Sequence, residues 1–146
     1  MGSEISQFRE WDEKREQDWE LKRYPAHDAF TRYMTELNHM YLSHPALWAE
    51  DYERDGFAWL DCHQEEKCVF IIRRRSEEET IIAAFNFSAQ EQMVEIESGG
   101  AQWTLLFDTN WEKYGGTASE QERNAPIGNA RMPLILAPFS GVLFTE

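Results

Sequence analysis

The stretch Cys68 to Ser88, CVFIIRRRSEEETIIAAFNFS, decides the fold of this chain. Cys68 to Ile72 is an unbroken apolar run, while Ile81, Ala83, Phe85 and Phe87 alternate with Ile82, Ala84 and Asn86. Both patterns suit strands covered on two faces and joined by a charged turn, at the centre of a β domain. Arg73, Arg74 and Arg75 stand opposite Glu77, Glu78 and Glu79 across that turn. Opposite charges paired where the ladder meets water would fix its register.

Working outward, Gly56 to Asp61 alternates Phe57, Trp59 and Asp61 with Ala58 and Leu60, a first strand that enters the central hairpin through a loop from His63 to Lys67. Gln92 to Glu97 alternates again, with Val94 and Ile96 inward and Glu95 and Glu97 outward. Gly99-Gly100 then supplies a turn, and Ala101 to Phe107 returns with Trp103, Leu105 and Phe107 on one face. Met132 to Ala137 and Gly141 to Thr145 complete the set, with Pro138 and Ser140-Gly141 at the corner between them. Roughly six to eight short strands separated by turns predict a mainly β fold, an antiparallel β-sandwich or Greek-key barrel.

Ahead of the strands, Met1 to Tyr24 is polar and without a sustained period, hence irregular. From Pro25, the residues Ala26, Ala29, Phe30, Tyr33, Leu37, Met40 and Tyr41 fall on one face of a 3.6-residue helix. Pro25 suits its first turn, and Pro45 stops it near Ser43. His27, His39 and His44 scatter around this helix as solvated or locally bonded groups. Pro45 to Asp55 is a linker anchored by Leu47, Trp48 and Tyr52. The domain division is therefore 1–55 and 56–146.

The 146 residues include 27 acidic and 14 basic side chains, and a formal charge of −13 repels phosphate backbones and anionic lipid. Neither nucleic acid nor a membrane is an expected partner. No apolar run approaches the roughly 20 residues of a spanning helix, and the first residues lack a signal-peptide pattern, which places the protein in the cytoplasm. Cys62 and Cys68 read as reduced and buried. Cys62-His63 with Cys68 matches no common zinc spacing, so neither a metal nor a cofactor is expected.

Asp108 to Arg131 holds no convincing strand or helix, and irregular connections of this length are usually functional or mobile. Trp111 and Tyr114 sit there beside Gly115-Gly116. Two readings stand level: a ligand approached closely by backbone, or an Ω-loop folded over its own aromatics. Trp11 and Trp19 pose a similar choice between stacking on sugar rings and covering a neighbouring core.

The segments MGSEISQFREW, QDW, YPAHDAF, LNHMY, HPALW, DGFAWLD and KYGG, in this order, resemble bacterial 1,4-α-glucan branching enzymes of the α-amylase superfamily. The resemblance is to their C-terminal end and covers essentially the whole chain. It implies that Met1 to Glu4 belong to the end of the eighth strand of a catalytic (β/α)8 barrel, Ile5 to Tyr24 to the loop beyond, and Pro25 to Ser43 to the last barrel helix. Gly56 to Glu146 would be the α-amylase-type C-terminal all-β domain. The family's aspartate nucleophile, glutamate acid/base and second aspartate lie on earlier barrel strands, and none of their motifs is present. The resemblance therefore implies no catalytic residue here. Retaining transfer needs two carboxyl groups about 5 to 5.5 Å apart across the bond, which a solvated charge run does not make.

Ile5-Ser6 departs from the aromatic followed by Gly or Ala of many relatives, and Trp11-Asp12-Glu13 from their Trp-Asn-His. Substrate contacts are accordingly not carried onto Glu4, Gln7 or Trp11. The expected role is a supporting C-terminal region of a glycogen-making transferase, non-catalytic alone, with the catalytic barrel as partner. The alternative is an independent α-glucan-binding module that stacks sugar on Trp11, Trp19, Trp111 or Tyr114. The helix face of Phe30, Tyr33, Leu37 and Tyr41 either folds onto the β domain or pairs with another copy.

Overall fold

A computed structural model describes residues 2–97, 99, 102–120 and 131–146. Helix α1 (Pro25–Ser43) is followed by strands β1 (Phe57–Gln64), β2 (Val69–Arg75), β3 (Thr80–Asn86), β4 (Gln92–Glu97), β5 (Thr104–Asp108), β6 (Arg131–Leu136) and β7 (Gly141–Thr145). The strands form a five-stranded sheet ordered β1-β2-β3-β7-β5 and a two-stranded sheet, β4-β6, with every ladder antiparallel. The helix occupies the predicted residues, with Pro25 in its first turn. Ahead of it the chain is irregular apart from two 3-10 turns, Ser3–Ile5 and Trp19–Arg23.

The two apolar segments of the opening stretch pair without a slip from Val69↔Asn86 to Arg75↔Thr80. Successive side chains point to opposite faces, so an apolar residue at nearly every position requires two cores. The inner core joins Val69, Ile71, Ile82, Ala84, Val142 and Phe144 to Val94, Ile96 and Leu136 of the small sheet. The outer core gathers Ile81, Ala83, Phe107 and Leu143 beneath Tyr33, Leu37 and Met40 of α1. Of the two expectations for the helix face, folding onto the β domain is therefore what occurs, although Tyr41 at its end stays 42% exposed.

Four local expectations are corrected. The Gly99 turn does not make a hairpin: β4 pairs with β6 and β5 with β7, so the chain crosses from one sheet to the other. Trp103 and Phe107 do not share a face, because a register shift between Leu105 and Phe107 sends Trp103 to the inner core and Phe107 to the outer one. Cys62 and Cys68 are free but flank the turn between β1 and β2, half-buried and exposed respectively.

The arginines and glutamates of the central hairpin do not pair across its turn. Ser76 closes that turn, accepting at Oγ from the amides of Glu78 and Glu79 and donating its own N–H to Glu79 O at 3.0 Å. Both charges go instead to the segment after α1. Glu79 accepts from His44 Nδ1 at 2.9 Å and from the Ala46 amide at 3.0 Å. The Arg74 guanidinium donates to Ala46 O and Leu47 O, each at 3.2 Å, and to the Asp51 carboxylate. Ala46 is fully buried, so its N–H and C=O need partners, and these two side chains supply them.

Asn86 braces the far end of the sandwich at 1% exposure. Its amide nitrogen lies 2.7, 3.3 and 2.9 Å from the carbonyls of Gln90, Leu136 and Ala137, and its oxygen accepts from Ser88 N and Oγ. Among the described residues no helix is long and apolar enough to cross a membrane. Asn86→Ala strands the buried Leu136 carbonyl and the part-buried Ala137 carbonyl, and is expected to lower stability by about 2 kcal/mol, read as a fall in the urea midpoint at unchanged slope.

Candidate functional site

The outer face of the large sheet carries a group of aromatic side chains, and two elements cover part of it. Helix α1 lays Tyr33, Leu37 and Met40 over the outer core. The segment after β5 adds Trp111 and a 3-10 turn, Glu112–Tyr114. Tyr114 stacks on Phe107 with centroids 5.4 Å apart and meets Tyr33 edge-on at 5.5 Å. Its hydroxyl donates to Glu36 Oε2 at 2.6 Å, latching the loop to the helix.

Lys113 reinforces this latch. Its ammonium lies 2.7 Å from Glu36, 3.3 Å from Glu120 and 4.5 Å above the Trp111 ring. The hydrogen bond from Lys113, then that from Tyr114, holds the Glu36 carboxyl below the usual glutamate range. Burial, and next the bond to Glu36, pushes the Tyr114 phenol well above the ordinary tyrosine value. Burial also raises Tyr33. Both phenols therefore stay protonated and able to donate at neutral pH.

The glycine pair in this loop serves the loop itself. Gly115 sits at φ +89°, which favours glycine, and a Cβ on Gly116 would lie 2.0 Å from Asn110 O. Trp111 is 8% exposed, in contact with Phe107 and Tyr114. Trp11 and Trp19 are 56% and 53% exposed on the segment before α1, which an Arg9–Asp18 pair at 2.9 Å braces. The structure thus places the four aromatics that the sequence singles out as two separate pairs, one solvated and one packed. No group of three or more His, Cys, Asp or Glu among the described residues could hold a metal ion.

Beyond the helix, the same sheet face bears an aromatic run that sequence reasoning missed. Phe57 and Trp59 of β1 contact at 5.4 Å, Trp59 and Phe70 of β2 at 6.2 Å, Phe70 and Phe87 at 5.8 Å, and Phe87 and Phe85 at 6.1 Å. Trp59 stands opposite Ile72, and Phe70 opposite Phe85, which puts these rings on the outer face. Trp59 and Phe87 remain more than half exposed. The available signal was aromatic spacing of two residues in β1 and again at Phe85 and Phe87. It needed the pairing register to join the strands.

Where this run meets α1, a cleft of about 380 Å³ opens between Phe30 and Tyr33 of the helix, Phe85 and Phe87, Tyr114, and the β6–β7 corner at Phe139. A Cβ on Gly141 would lie 2.8 Å from Phe85, so glycine there lets the ring settle against the backbone.

A family model described as the α-amylase C-terminal all-β domain matches residues 59–144. The chain belongs to this family. Curated relatives named 1,4-α-glucan branching enzyme GlgB extend the match beyond the domain. That of Aquifex aeolicus (strain VF5) is 34% identical over 122 residues, covering 80% of this chain and 19% of that enzyme. That of Rhizobium meliloti (strain 1021) is 37% identical over 121 residues, 80% and 16% of the two chains. The Protochlamydia amoebophila (strain UWE25) enzyme is 30% identical over 99% of this chain and 21% of its own length. This all-β domain chain matches the C-terminal region of those enzymes and spans about a fifth of their length.

Solved structures share the fold. AmyP in complex with maltose superposes at a TM-score of 0.60 and 16% identity over 82% of this chain and 20% of its own. The α-amylase from H. orenii gives 0.57 and 14% over 89% and 22%.

In this α-amylase-type domain the latch has a pH signature. A carboxyl held low in the fold stabilises it fully above its unfolded value, and that contribution disappears as pH falls through the folded value. The stability gap between the native chain and Glu36→Gln is expected to be largest near neutrality and to close in acid, below the ordinary glutamate value, as urea midpoints against pH will record.

Proposed function

We propose that the chain is the supporting C-terminal region of a 1,4-α-glucan branching enzyme of glycogen biosynthesis, working in the cytoplasm and non-catalytic by itself. The observation that carries this reading is the joint match: an α-amylase C-terminal domain over residues 59–144, and branching enzymes aligned over most of the chain but over only about a fifth of their own length. In this reading residues 1–55 complete the end of the catalytic barrel, α1 being its last helix, and residues 56–146 are the β domain that buttresses it. The clamp on Ala46 and the Tyr114 latch suit that task, because they fix the angle between helix and sheet. Self-association through α1 is not part of the proposal, since Tyr33 and Leu37 pack against the outer core within the chain.

A second reading, α-glucan binding, is favoured by one observation: the aromatic run from Phe57 to Phe87 stays largely solvated. Aromatic faces hold the C–H faces of pyranose rings without charge, which suits a neutral polymer on an acidic protein. Trp11 and Trp19 offer further exposed rings.

The purified chain incubated with amylose is expected to form no α-1,6 branches by debranching assay, whereas joining it to the remaining part of a branching enzyme should raise that part's thermal midpoint. Transfer by the chain alone, or no stabilisation on joining, would sink the supporting role. For the second reading, Trp59→Ala is expected to weaken retention on insoluble amylose about tenfold, since a lost stacking contact is worth about that much.

A further inference from the structure

We propose that the free edge of β4, with the groove of about 720 Å³ beside it, binds an extended basic segment of another protein as a third strand of the small sheet. The inference goes beyond the supporting role and uses that reading only for the side on which the barrel lies.

The ladder sets the edge. Among the described residues the small sheet holds only β4 and β6, so β4 has one side without a neighbouring strand. Glu95 stands opposite Pro133, which has no N–H, so the pair cannot exchange two ladder bonds and the backbone groups of Glu95 point away from β6. By alternation those of Met93 and Glu97 do the same. Lys67 Nζ, reaching over from the β1–β2 turn, donates to Met93 O at 3.3 Å, in keeping with that direction. On β6 the missing N–H of Pro133 blunts the far edge, whereas β4 carries no proline. Lys67 is an exposed, flexible side chain that an incoming strand can displace.

The groove lies between this edge and β1, lined by Leu60, Asp61 and Gln64 on one side and by Met93 to Glu97 on the other. Its volume falls within the range of binding pockets. Unpaired N–H and C=O groups repeating at strand spacing are the complement of another extended main chain, the way sheet edges take up peptides. A strand laid there turns every second side chain inward beside Val94 and Ile96, which are 4% and 1% exposed, and the others outward beside Glu95 and Glu97.

Charge selects the occupant. Arg131 meets Glu95 at 3.4 Å, but Glu97 and Asp61 have no ion pair among the described residues. The hydrogen bond from Gln64, then that from the His63 amide, holds the Asp61 carboxyl below the usual aspartate range, so it stays anionic. Lysine or arginine on the incoming strand therefore meets uncompensated carboxylates. Two copies of this chain joined edge to edge would instead lay one glutamate row against another, which like charges oppose. In the supporting reading the barrel adjoins α1 on the outer face of the large sheet. The groove opens where the small sheet packs on the inner face, which leaves it to a different protein.

The test is a heteronuclear NMR titration of the 146-residue chain with a capped heptapeptide that alternates lysine with valine. The amides of Met93, Glu95 and Glu97 are expected to shift and saturate, with a Kd below about 1 mM. Two N-methylated forms, one blocked at the lysine amides and one at the valine amides, are expected to differ about tenfold, since only one set of N–H groups can face β4. Glu97→Lys is expected to weaken binding about tenfold. Lack of saturation by about 10 mM peptide overturns the proposal. Equal binding of the two methylated forms also overturns it, as association by charge without strand pairing. Concentration-dependent shifts at Met93 to Glu97 without peptide assign the edge to a second copy and overturn it too. Loss of peptide binding once the chain is joined to the remaining part of a branching enzyme overturns it in favour of cover by the barrel. The supporting role fails separately, through α-1,6 branches formed by the chain alone.

Discussion

The central strands β3 and β7 are apolar on both faces, and this one constraint shapes the molecule. Ile82 and Ala84 look inward while Ile81 and Ala83 look outward, and all four are nearly inaccessible. A two-layer sandwich satisfies only the inward set. The outward set requires a third layer, and α1 with the aromatic loop supplies it. Burial of apolar area contributes roughly 25 cal/mol per Å², so a helix covering several such side chains gives the domain more than its surface ion pairs can. The helix packs directly on the outer core of the sheet, although the matched family model begins only at residue 59.

Hydrophobic cover is non-directional, so something else must set the helix's angle. Glu79 and Arg74 grip Ala46 from the β2–β3 hairpin at one end of α1, and Tyr114 with Lys113 grips Glu36 nearer its middle. Two separated attachments fix an axis where one would leave a pivot. The side chains of Glu79 and Arg74 are each 16% exposed, so their bonds to Ala46 replace water that could not otherwise reach that buried backbone. Their contribution is best understood as the avoided cost of orphaned amide and carbonyl groups.

Periodicity found what depends on short-range pattern: the helix from Pro25 to Ser43, the two strands of the β2–β3 hairpin, and the inward turn of Val94 and Ile96. It failed where the answer depends on which strand lies beside which. A glycine pair between two alternating strands fits a hairpin, but it equally permits a crossing, and only the sandwich decides that β4 joins β6. The Leu105–Phe107 irregularity was invisible for a related reason, since one extra residue reverses every face beyond it. Facing arginines and glutamates suggested ion pairs because their nearest competitors, the backbone groups of Ala46, lie some thirty residues away. Trp111 and Tyr114 were singled out by residue type alone. The run through Trp59 and Phe70 escaped notice because its members come from three strands.

The outer face is thus divided, with one half closed by α1 and the loop and the other left aromatic and wet. Aromatic rings are enriched in the cores of protein interfaces, so exposed rings on this half of the sheet are also what a protein partner would cover. Along that half Phe57, Trp59, Phe70 and Phe87 meet one another edge-on or tilted. The covered half of the sheet therefore fixes the helix to the domain, and the uncovered half gives the same domain a chemically distinct, aromatic surface.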